Sequence, residues 1–404
     1  MVVAIIGGGA SGMAAAKAAS ENPAVQVILF ERQARLGRKL QATGNGRCNL
    51  SNRNAANGGY HGENAGFADP ALKRLPPEAT ADWFRQMGLV TVAEPSGRMY
   101  PYSDQANSVA DVLRLALERP NVEIRTGTEV KKITRTDTGF AVDDGTRQTA
   151  CDRVIVACGG LAGTKLGGGM WGYRLLEKLG HTVTKLRPAL VQIKSDFYAL
   201  PSLQGVRANC HVRILHDGDL FAQSTGELQF TQYGLSGPVI FEISRDVCQE
   251  SGTWTAELDF LPGCTKEELL SLLTRQTGSA RSTEDLLTGI VHNRLGRVLT
   301  KAAGVTGNRP VCQLSRQELA AVCDRVKKLE VTLSAPMGMD AAQVTAGGIR
   351  TADFDPCTME SKLVPGLYAC GEVLDIDGDC GGYNLQWAWS SGCCAGFHAG
   401  KETQ

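Results

Sequence analysis

Short apolar segments occur at both ends of the chain, and between them lie segments whose apolar residues recur at helical spacing. Val2–Ile6, Val25–Phe30 and Val154–Ala157 are predominantly apolar, which is typical of strands buried on both faces of a parallel sheet. Met13–Ser20 is rich in alanine, and Asn107–Glu118 places its apolar residues on one helical face. This pattern predicts an α/β domain.

The pattern changes after Pro188. Residues 190–261 read as short alternating strands with turn signals, which is typical of a small antiparallel barrel or sandwich. Residues 265–328 read as helical. Thr265 caps one run with Glu267 and Glu268 in its first turn, and Ser315 caps another with Glu318 three residues later, the spacing of a capping box. After Val331 the strand-and-turn pattern of the first segment returns.

The first predicted strand runs directly into a glycine-rich turn. Gly7, Gly9 and Gly12 satisfy G-x-G-x-x-G, and Glu31 stands 19 residues after Gly12 at the end of the second strand. The glycines allow a pyrophosphate to approach a helix N-terminus closely, and the acidic residue accepts hydrogen bonds from ribose hydroxyls. This context predicts a dinucleotide site that disfavours NADP. The turn also includes Ala10 and Ser11.

A second motif combines glycines with cations. Five basic residues and no acidic residue lie between Arg32 and Arg47, and the segment 43–49 alternates glycine and asparagine with Arg47. This composition suits a loop that wraps phosphates and the edge of a ring. The alternative is a solvated basic loop, which would not explain the glycines and asparagines.

A third motif lies near the carboxyl end. A predicted strand, Leu367–Cys370, leads to Glu372, which is placed to bind a ribityl chain, and Leu385–His398 is predicted to be a helix. The N-terminus of this helix offers free amide donors. Such donors suit the edge of a flavin ring, where negative charge builds on reduction. Three alternating aspartates follow Glu372, namely Asp375, Asp377 and Asp379. A calcium-binding loop is the alternative interpretation, but Gln386 occupies the twelfth position, where such a loop requires a glutamate. We therefore predict no metal site.

Charge and cysteine content narrow the class of protein. The 404 residues include 42 Lys+Arg and 42 Asp+Glu, so the formal net charge is zero. A neutral chain argues against nucleic acid and polybasic membrane binding. Thirteen scattered cysteines without C-x-x-C predict reduced thiols and a cytoplasmic protein, and no apolar run reaches transmembrane length. The oligomeric state is left open.

The chain resembles the BaiN-like, aminoacetone-oxidase-like family of NAD(P)/FAD-dependent oxidoreductases. The resemblance extends almost end to end and is carried most specifically by the long segments Gly37–Asn52 and Gly366–Gly392. Shorter matching segments are Ile5–Gly12, Gly97–Val109, Phe230–Pro238 and Thr345–Ile349. The chain departs from the family at Cys158-Gly159-Gly160, where members usually have Thr-Gly-Gly, so substrate preference is expected to differ.

The resemblance implies a split Rossmann-type FAD-binding domain with an inserted antiparallel β-barrel and a small helical subdomain, in agreement with the changes in pattern. We place the FAD-binding domain at residues 1–187 and 331–404, the barrel at 188–262 and the helical subdomain at 263–330. Pockets form preferentially between domains, so we expect the insertion to cover the flavin ring. The segment Phe230–Pro238 is expected to approach it.

The resemblance also implies the activity. The favoured hypothesis is reduction of an activated C=C, such as a steroid or bile-acid enone, by hydride from flavin N5. NAD(P)H would be a transient reductant, because the second glycine match at Gly167, Gly169 and Gly172 has no preceding strand. The alternatives are an oxidase of a small amine such as aminoacetone, and a non-catalytic or RNA-modifying FAD-binding protein. The expected partner is a small-molecule substrate.

The candidate site residues follow from these motifs. Arg47, Tyr383 and Asn384 are candidates for catalysis, although each could equally support a loop, and no catalytic acid is assigned. Residues expected to bind non-covalent FAD are Gly7, Gly9, Ala10, Ser11, Gly12, Glu31, Arg32, Arg38, Lys39, Thr43, Gly44, Asn45, Arg47, Cys48, Asn49, Val130, Cys158, Gly159, Gly160, Gly371, Glu372, Gly382, Tyr383, Asn384 and Leu385.

Overall fold

Residues 1–278 and 281–401 are described by a computed structural model. The chain divides into two units, of which the first comprises Met1–Pro188 with Ala342–Gln404 and the second comprises Ala189–Ala341. The amino-terminal segment contains β1 (Val2–Ile6), α1 (Ala10–Ala19), β2 (Gln26–Phe30), α2 (Arg38–Ala42), β3 (Ser51–Asn52), β4 (Tyr60–His61), α3 (Asp69–Arg74), α4 (Pro77–Gln86), β5 (Thr91–Ala93), β6 (Arg98–Pro101), α5 (Ala106–Ala116), β7 (Val122–Arg125), β8 (Lys132–Thr136), β9 (Gly139–Asp143), β10 (Gln148–Cys151), β11 (Arg153–Val156), α6 (Trp171–Glu177) and β12 (Arg187–Ala189).

The remaining elements follow in chain order. The second unit contains β13 (Ile193–Ser195), α7 (Leu200–Leu203), β14 (Arg207–His216), β15 (Asp219–Phe230), β16 (Gly234–Ser236), α8 (Pro238–Ile243), β17 (Trp254–Asp259), α9 (Lys266–Arg275), α10 (Asn293–Ala302), α11 (Arg316–Lys327) and β18 (Leu329–Pro336). The chain then returns to the first unit with β19 (Val344–Ala346), β20 (Leu367–Ala369), β21 (Asp377–Gly378) and α12 (Tyr383–Ala399).

A five-stranded parallel sheet forms the centre of the first unit, in the order β20-β11-β1-β2-β7. Its inner strands are apolar because both faces are covered, and Val3, Ile5 and Leu29 are fully buried. The predicted α/β Rossmann-type architecture is therefore confirmed. Strand β20 comes from the carboxyl-terminal segment, so the two halves of this unit share one sheet.

Glycines allow the first and last helices of this unit to cross closely. A Cβ atom placed on Gly392 or Gly396 of α12 would overlap the carbonyl oxygen of Ser11 or Ala15 in α1. Small residues at both positions let the two backbones approach, which brings α12 against the helix that begins at the glycine-rich turn. The site elements at the start of α1 and of α12 are thereby fixed within one core.

The second unit contains a closed barrel in the order β13-β16-β15-β14-β17-β18. Its interior is filled by alternate residues, such as Cys210, Val212 and Ile214 of β14. The expected inserted antiparallel barrel is therefore present. The expected return to the first domain at residue 331 is wrong, because Leu329–Pro336 pairs with β13 and β17 and completes the barrel.

The helical segment of the second unit starts as the sequence indicates, since Thr265 and Glu268 form a capping box. It is not separate from the barrel, however. Leu258 of β17 and Val326 of α11 lie in one hydrophobic core, and Phe260 N donates a hydrogen bond to Val326 O. The boundary placed at 262/263 therefore divides a continuous core.

Over the described parts of the chain, none of the helices has both the length and the apolar character that crossing a bilayer requires.

Candidate cofactor-binding site

The glycine-rich turn between β1 and α1 has the shape that a dinucleotide needs. Gly7 has φ +110°, and a Cβ there would lie 2.5 Å from Ala157 O. A Cβ on Gly12 would overlap Gly7 O, whereas a Cβ on Gly9 would meet nothing within 4 Å. Gly9 is also the N-cap of α1 and provides no side-chain cap. Open space therefore lies at the positive end of the helix dipole, where a phosphate would be stabilised.

Glu31 follows β2 and is held by the backbone on both sides of its carboxylate. Gly8 N donates to Oε2 and Gln33 N donates to Oε1, each over 2.7 Å. A carboxylate offers about four lone-pair positions. Glu31 therefore remains able to accept hydrogen bonds from ribose hydroxyls while it is oriented by these two amides.

Arg32 and Arg38 are held by contacts with other groups. The Arg32 guanidinium stacks 3.4 Å from the ring centroid of Trp171 and donates to Gly167 O over 2.9 Å. Arg38 Nη1 donates to Gln33 Oε1 over 2.7 Å. Arg32 thus contacts the second glycine-rich segment, and Arg38 contacts Gln33, whose backbone amide donates to Glu31.

Lys39 and Glu372 form an ion pair, with 2.7 Å between Nζ and Oε2. The other carboxylate oxygen of Glu372 accepts a hydrogen bond from Thr345 N over 3.0 Å. A Cβ on Gly160 would lie 2.5 Å from that same oxygen, so the glycine is required by the close approach. Three segments of the first unit converge on Glu372. Thr345 was missed as a site residue, although it begins a segment that carries the family resemblance.

The loop 43–49 contains four residues with positive φ, which are Gly44 (57°), Asn45 (55°), Gly46 (85°) and Cys48 (61°). Asparagine and glycine adopt this conformation most readily, which explains their alternation in the motif. Thr43 closes the loop, because its carbonyl accepts from Cys48 N over 3.0 Å. The loop is therefore a defined backbone structure.

Arg47 projects from this loop toward two acids and a ring. Its Nε donates to Asp104 Oδ1 over 2.5 Å, its Nη2 donates to Glu94 over 3.2 Å, and its guanidinium lies 4.1 Å from the Tyr100 ring centroid. Arg47 is thus engaged in holding the loop to β6 and its neighbours. This arrangement favours the structural alternative for this candidate.

Asn49 ends the loop beside the start of α12. A Cβ on Gly382, the N-cap of α12, would lie 2.9 Å from Asn49 Oδ1 and would overlap Ser51 O. Asn49 Oδ1 is buried and has no hydrogen-bond partner within residues 1–278 and 281–401. A buried acceptor of this kind fits a site that is completed by a donor from a bound molecule.

The other two catalytic candidates begin α12. Asn384 accepts from Gly378 N over 2.9 Å and donates to Gly378 O over 2.7 Å, so its amide is used to shape the preceding turn. The ring of Tyr383 packs edge-on against Tyr60, with centroids 5.8 Å apart. Leu385 packs against the core of the unit. These bonds favour the structural alternative for Asn384.

Several of the remaining predicted positions follow the carboxyl ends of β11 and β20. Gly371 has φ +75°, its N donates to Ser391 Oγ over 3.0 Å, and a Cβ there would lie 2.5 Å from Ser11 Oγ. Cys158 Sγ lies 3.4 Å from Ile6 O, and burial raises the pKa of this thiol to about 12. Gly159 has φ +71°. Val130 is buried in the core and presents no polar group.

These observations fit FAD. The open space at Gly9 suits a phosphate, and the carboxylate of Glu31 suits a ribose. The polar group around Glu372 suits a ribityl chain, and the unpartnered acceptor of Asn49 suits a polar ring. Within the described ranges, no group of three or more His, Cys, Asp or Glu side chains is arranged to hold a metal ion.

Comparisons with known proteins identify the family of the chain. The family model described as "HI0933-like protein Rossmann domain" matches residues 1–398. A 3-dehydro-bile acid delta(4,6)-reductase from Clostridium scindens is 38% identical over 405 residues, which cover 99% of each chain. A ribosomal RNA dihydrouridine synthase from Escherichia coli is 31% identical over 389 residues, which cover 96% of this chain and 95% of the other.

A solved structure shows the same fold at low identity. The 3-ketosteroid delta1-dehydrogenase from Sterolibacterium denitrificans aligns with a TM-score of 0.52 and 12% identity, over 98% of this chain and 99% of that one. The matches span nearly the whole chain, including the turn at Gly7–Gly12 and the start of α12. The chain therefore belongs to the HI0933-like Rossmann family, the family of FAD-dependent oxidoreductases that its motifs indicated.

Proposed function

We propose that this protein reduces a C=C bond conjugated to a carbonyl group, in a substrate of the steroid or bile-acid enone type. The observation that carries this proposal is the 38% identity to a 3-dehydro-bile acid delta(4,6)-reductase across 99% of both chains. In such a reduction the β carbon receives a hydride and the α carbon receives a proton. Bound reduced FAD would supply the hydride, and NAD(P)H would be the transient reductant of the flavin.

The residues of the first unit have separate tasks in this proposal. Glu31 would accept hydrogen bonds from the adenosine ribose, and the α1 N-terminus at Gly9 would stabilise the pyrophosphate. Glu372, held by Lys39 and Thr345, would bind the ribityl chain. The N-terminus of α12 would stabilise negative charge on the ring, because its amide dipoles point toward that end. Binding would be non-covalent.

The relative from Escherichia coli favours a second candidate, the reduction of uridine in ribosomal RNA. The two candidates share their chemistry, because the uracil C=C that is lost in dihydrouridine is also conjugated to a carbonyl group. The balance of 42 cations and 42 anions gives this chain no excess positive charge for RNA, which favours the small-molecule substrate. Thirteen free cysteines without a disulfide support a reducing compartment, which we propose is the cytoplasm.

The decisive experiment compares acceptors with the flavin already reduced. The purified protein is reduced anaerobically with dithionite and mixed with 3-oxo-Δ4-cholanoate, with an rRNA transcript, or with no acceptor. The proposal expects rapid flavin reoxidation and a hydrogenated product with the steroid acid only. Reoxidation by the transcript with dihydrouridine formation would support the second candidate. No reoxidation by either would contradict both.

The oxidase alternative has its own test. The oxidised protein is incubated in air with aminoacetone and without NAD(P)H, and hydrogen peroxide is measured. A C=C reductase is expected to give no peroxide above that of the Glu31→Ala variant, which should bind FAD weakly. Amine-dependent peroxide from the wild-type protein alone would overturn the reductase proposal.

A further inference from the structure

The three alternating aspartates before α12 separate into different roles in the structure. Asp375 is buried, and its Oδ2 accepts from Glu63 N over 3.1 Å. Asp377 is also buried, on strand β21 directly opposite His61 of β4. Asp379 is 43% exposed, and its Oδ1 lies 2.7 Å from Nε2 of His61, which is 39% exposed. Asp379 and His61 therefore form a carboxylate–histidine pair, which the alternating aspartates of the sequence do not reveal.

This pair lies in the same small patch as the first residue of α12. A Cβ on Gly59 would be 2.7 Å from Asp379 Oδ2 and also 2.7 Å from Cε1 of Tyr383. Asp379 N donates to Gly59 O over 2.9 Å, which fixes the backbone beneath the carboxylate. The pair is thus placed beside the helix N-terminus that is expected to face the flavin ring.

The proposed reduction requires a proton donor in addition to the hydride. Hydride addition to the β carbon moves the π electrons toward the carbonyl and leaves an enolate, which must gain a proton at its α carbon. Histidine is an effective acid near neutral pH, and a paired carboxylate favours its protonated form and fixes its orientation. Solvent can reprotonate His61, because its side chain is partly exposed.

We propose that His61, oriented by Asp379, is the proton donor that completes reduction of the conjugated C=C bond. This inference rests on the proposed reductase function. The imidazolium gives its proton to the α carbon, the enolate becomes the saturated ketone, and the neutral imidazole takes a new proton from water. The hydride and the proton together account for the two hydrogen atoms gained by the substrate.

Tyr60, whose ring packs against Tyr383, does not compete for this role. Burial raises the pKa of the Tyr60 phenol well above its usual range, so it remains protonated and is a weak acid at neutral pH. Its hydroxyl donates to Tyr383 O over 3.2 Å. The Asp377 carboxyl is buried within β21. Glu63, two residues after His61, forms an ion pair with Arg350 over 3.1 Å. Asp379 Oδ1 lies 2.7 Å from Nε2 of the His61 ring.

The test separates the two half-reactions of the FAD-loaded protein. His61→Gln is expected to slow anaerobic reoxidation by 3-oxo-Δ4-cholanoate by ~100-fold or more, the usual contribution of a general acid. Its reduction by NAD(P)H and its flavin spectrum should match the wild type. Asp379→Asn should shift the alkaline fall of the reoxidation rate by about one unit to lower pH, because the carboxylate no longer favours the imidazolium.

A matched control uses a histidine of the barrel. His211 has Nδ1 2.7 Å from Thr225 Oγ1, and His211→Gln should leave reoxidation and its pH profile unchanged. If the His61→Gln variant were reoxidised at the wild-type rate and with the wild-type pH profile, this inference would be overturned and the proposed function would stand. A wild-type protein whose reduced flavin is not reoxidised by any conjugated ketone would overturn the proposed function itself.

Discussion

Lys39 Nζ lies 2.7 Å from Glu372 Oε2 and joins two segments that are 333 positions apart in the chain. The two side chains are only 31% and 19% exposed, so solvent screens their charges incompletely. Removal of one partner from a partly buried pair leaves the other charge uncompensated. The pair therefore joins the basic segment between Arg32 and Arg47 to Glu372, the acid that is proposed to bind the ribityl chain.

The first prediction concerns this pair. Lys39→Met should raise the FAD dissociation constant by about tenfold, because one charge-assisted hydrogen bond contributes ~1.5–3 kcal/mol and a tenfold change corresponds to ~1.4 kcal/mol. Lys131→Met is the control, since Lys131 forms an ion pair of the same 2.7 Å length with Glu129 but both side chains are exposed. Fluorescence titration with FAD measures both variants. Equal losses in the two variants would contradict the prediction.

The second prediction separates a structural glycine from a ligand-facing one. Gly12→Ala should lower the stability of the FAD-free protein by about 1–3 kcal/mol, because its Cβ would overlap Gly7 O. Gly9→Ala should leave thermal unfolding of the FAD-free protein nearly unchanged, since Gly9 has φ −80° and its Cβ would meet nothing. It should nevertheless weaken FAD binding by about tenfold, because the methyl group enters the space expected for the pyrophosphate.

Thermal unfolding with and without added FAD distinguishes the two effects. A Gly9→Ala variant that binds FAD as well as the wild type would show that the pyrophosphate lies elsewhere. A Gly12→Ala variant of unchanged stability would show that the close approach to Gly7 can relax.

The third prediction concerns Glu31. Glu31→Ala should weaken FAD binding, at ~1.5–3 kcal/mol for each charge-assisted hydrogen bond that is lost. It should also loosen the turn, because Gly8 N and Gln33 N lose their acceptor. Glu31→Gln keeps one carbonyl acceptor and should lose less affinity than Glu31→Ala. Isothermal titration with FAD checks the order, and an unchanged dissociation constant in Glu31→Ala would exclude contact with the ribose.

The fourth prediction concerns thiol reactivity. Burial raises the pKa of Cys48, Cys158 and Cys393 to about 12, so at pH 8 these groups remain thiols, and the thiolate is the reactive form. Cys312 and Cys357 are exposed. Iodoacetamide at pH 8 should therefore modify Cys312 and Cys357 first, as followed by peptide mass spectrometry over time. Modification of Cys48 or Cys158 at a comparable rate would show that the core around the site opens readily.

The sequence alone determined the features that depend on neighbouring residues. The turn at Gly7–Gly12 and the acid at Glu31 were predictable because one strand–turn–helix unit sets their spacing. The helix that follows Ser315 was predictable because its capping box with Glu318 involves residues three positions apart. The barrel was predictable from its short strands of alternating apolar and polar residues. Most of its last strand, Leu329–Pro336, was nevertheless assigned to the other unit.

Only the tertiary structure decided which distant side chains meet. Alternation along β18 shows that one face is buried, but the partners of that strand, β13 and β17, lie far away in sequence. The contacts of His61 with Asp379 and of Lys39 with Glu372 span 318 and 333 positions, and no local pattern encodes such pairs. His61 meets Asp379 because β4 and β21 pair as antiparallel strands, with His61 opposite Asp377. Glu372 follows β20, which joins the parallel sheet of the amino-terminal strands. Both pairings are properties of the folded chain.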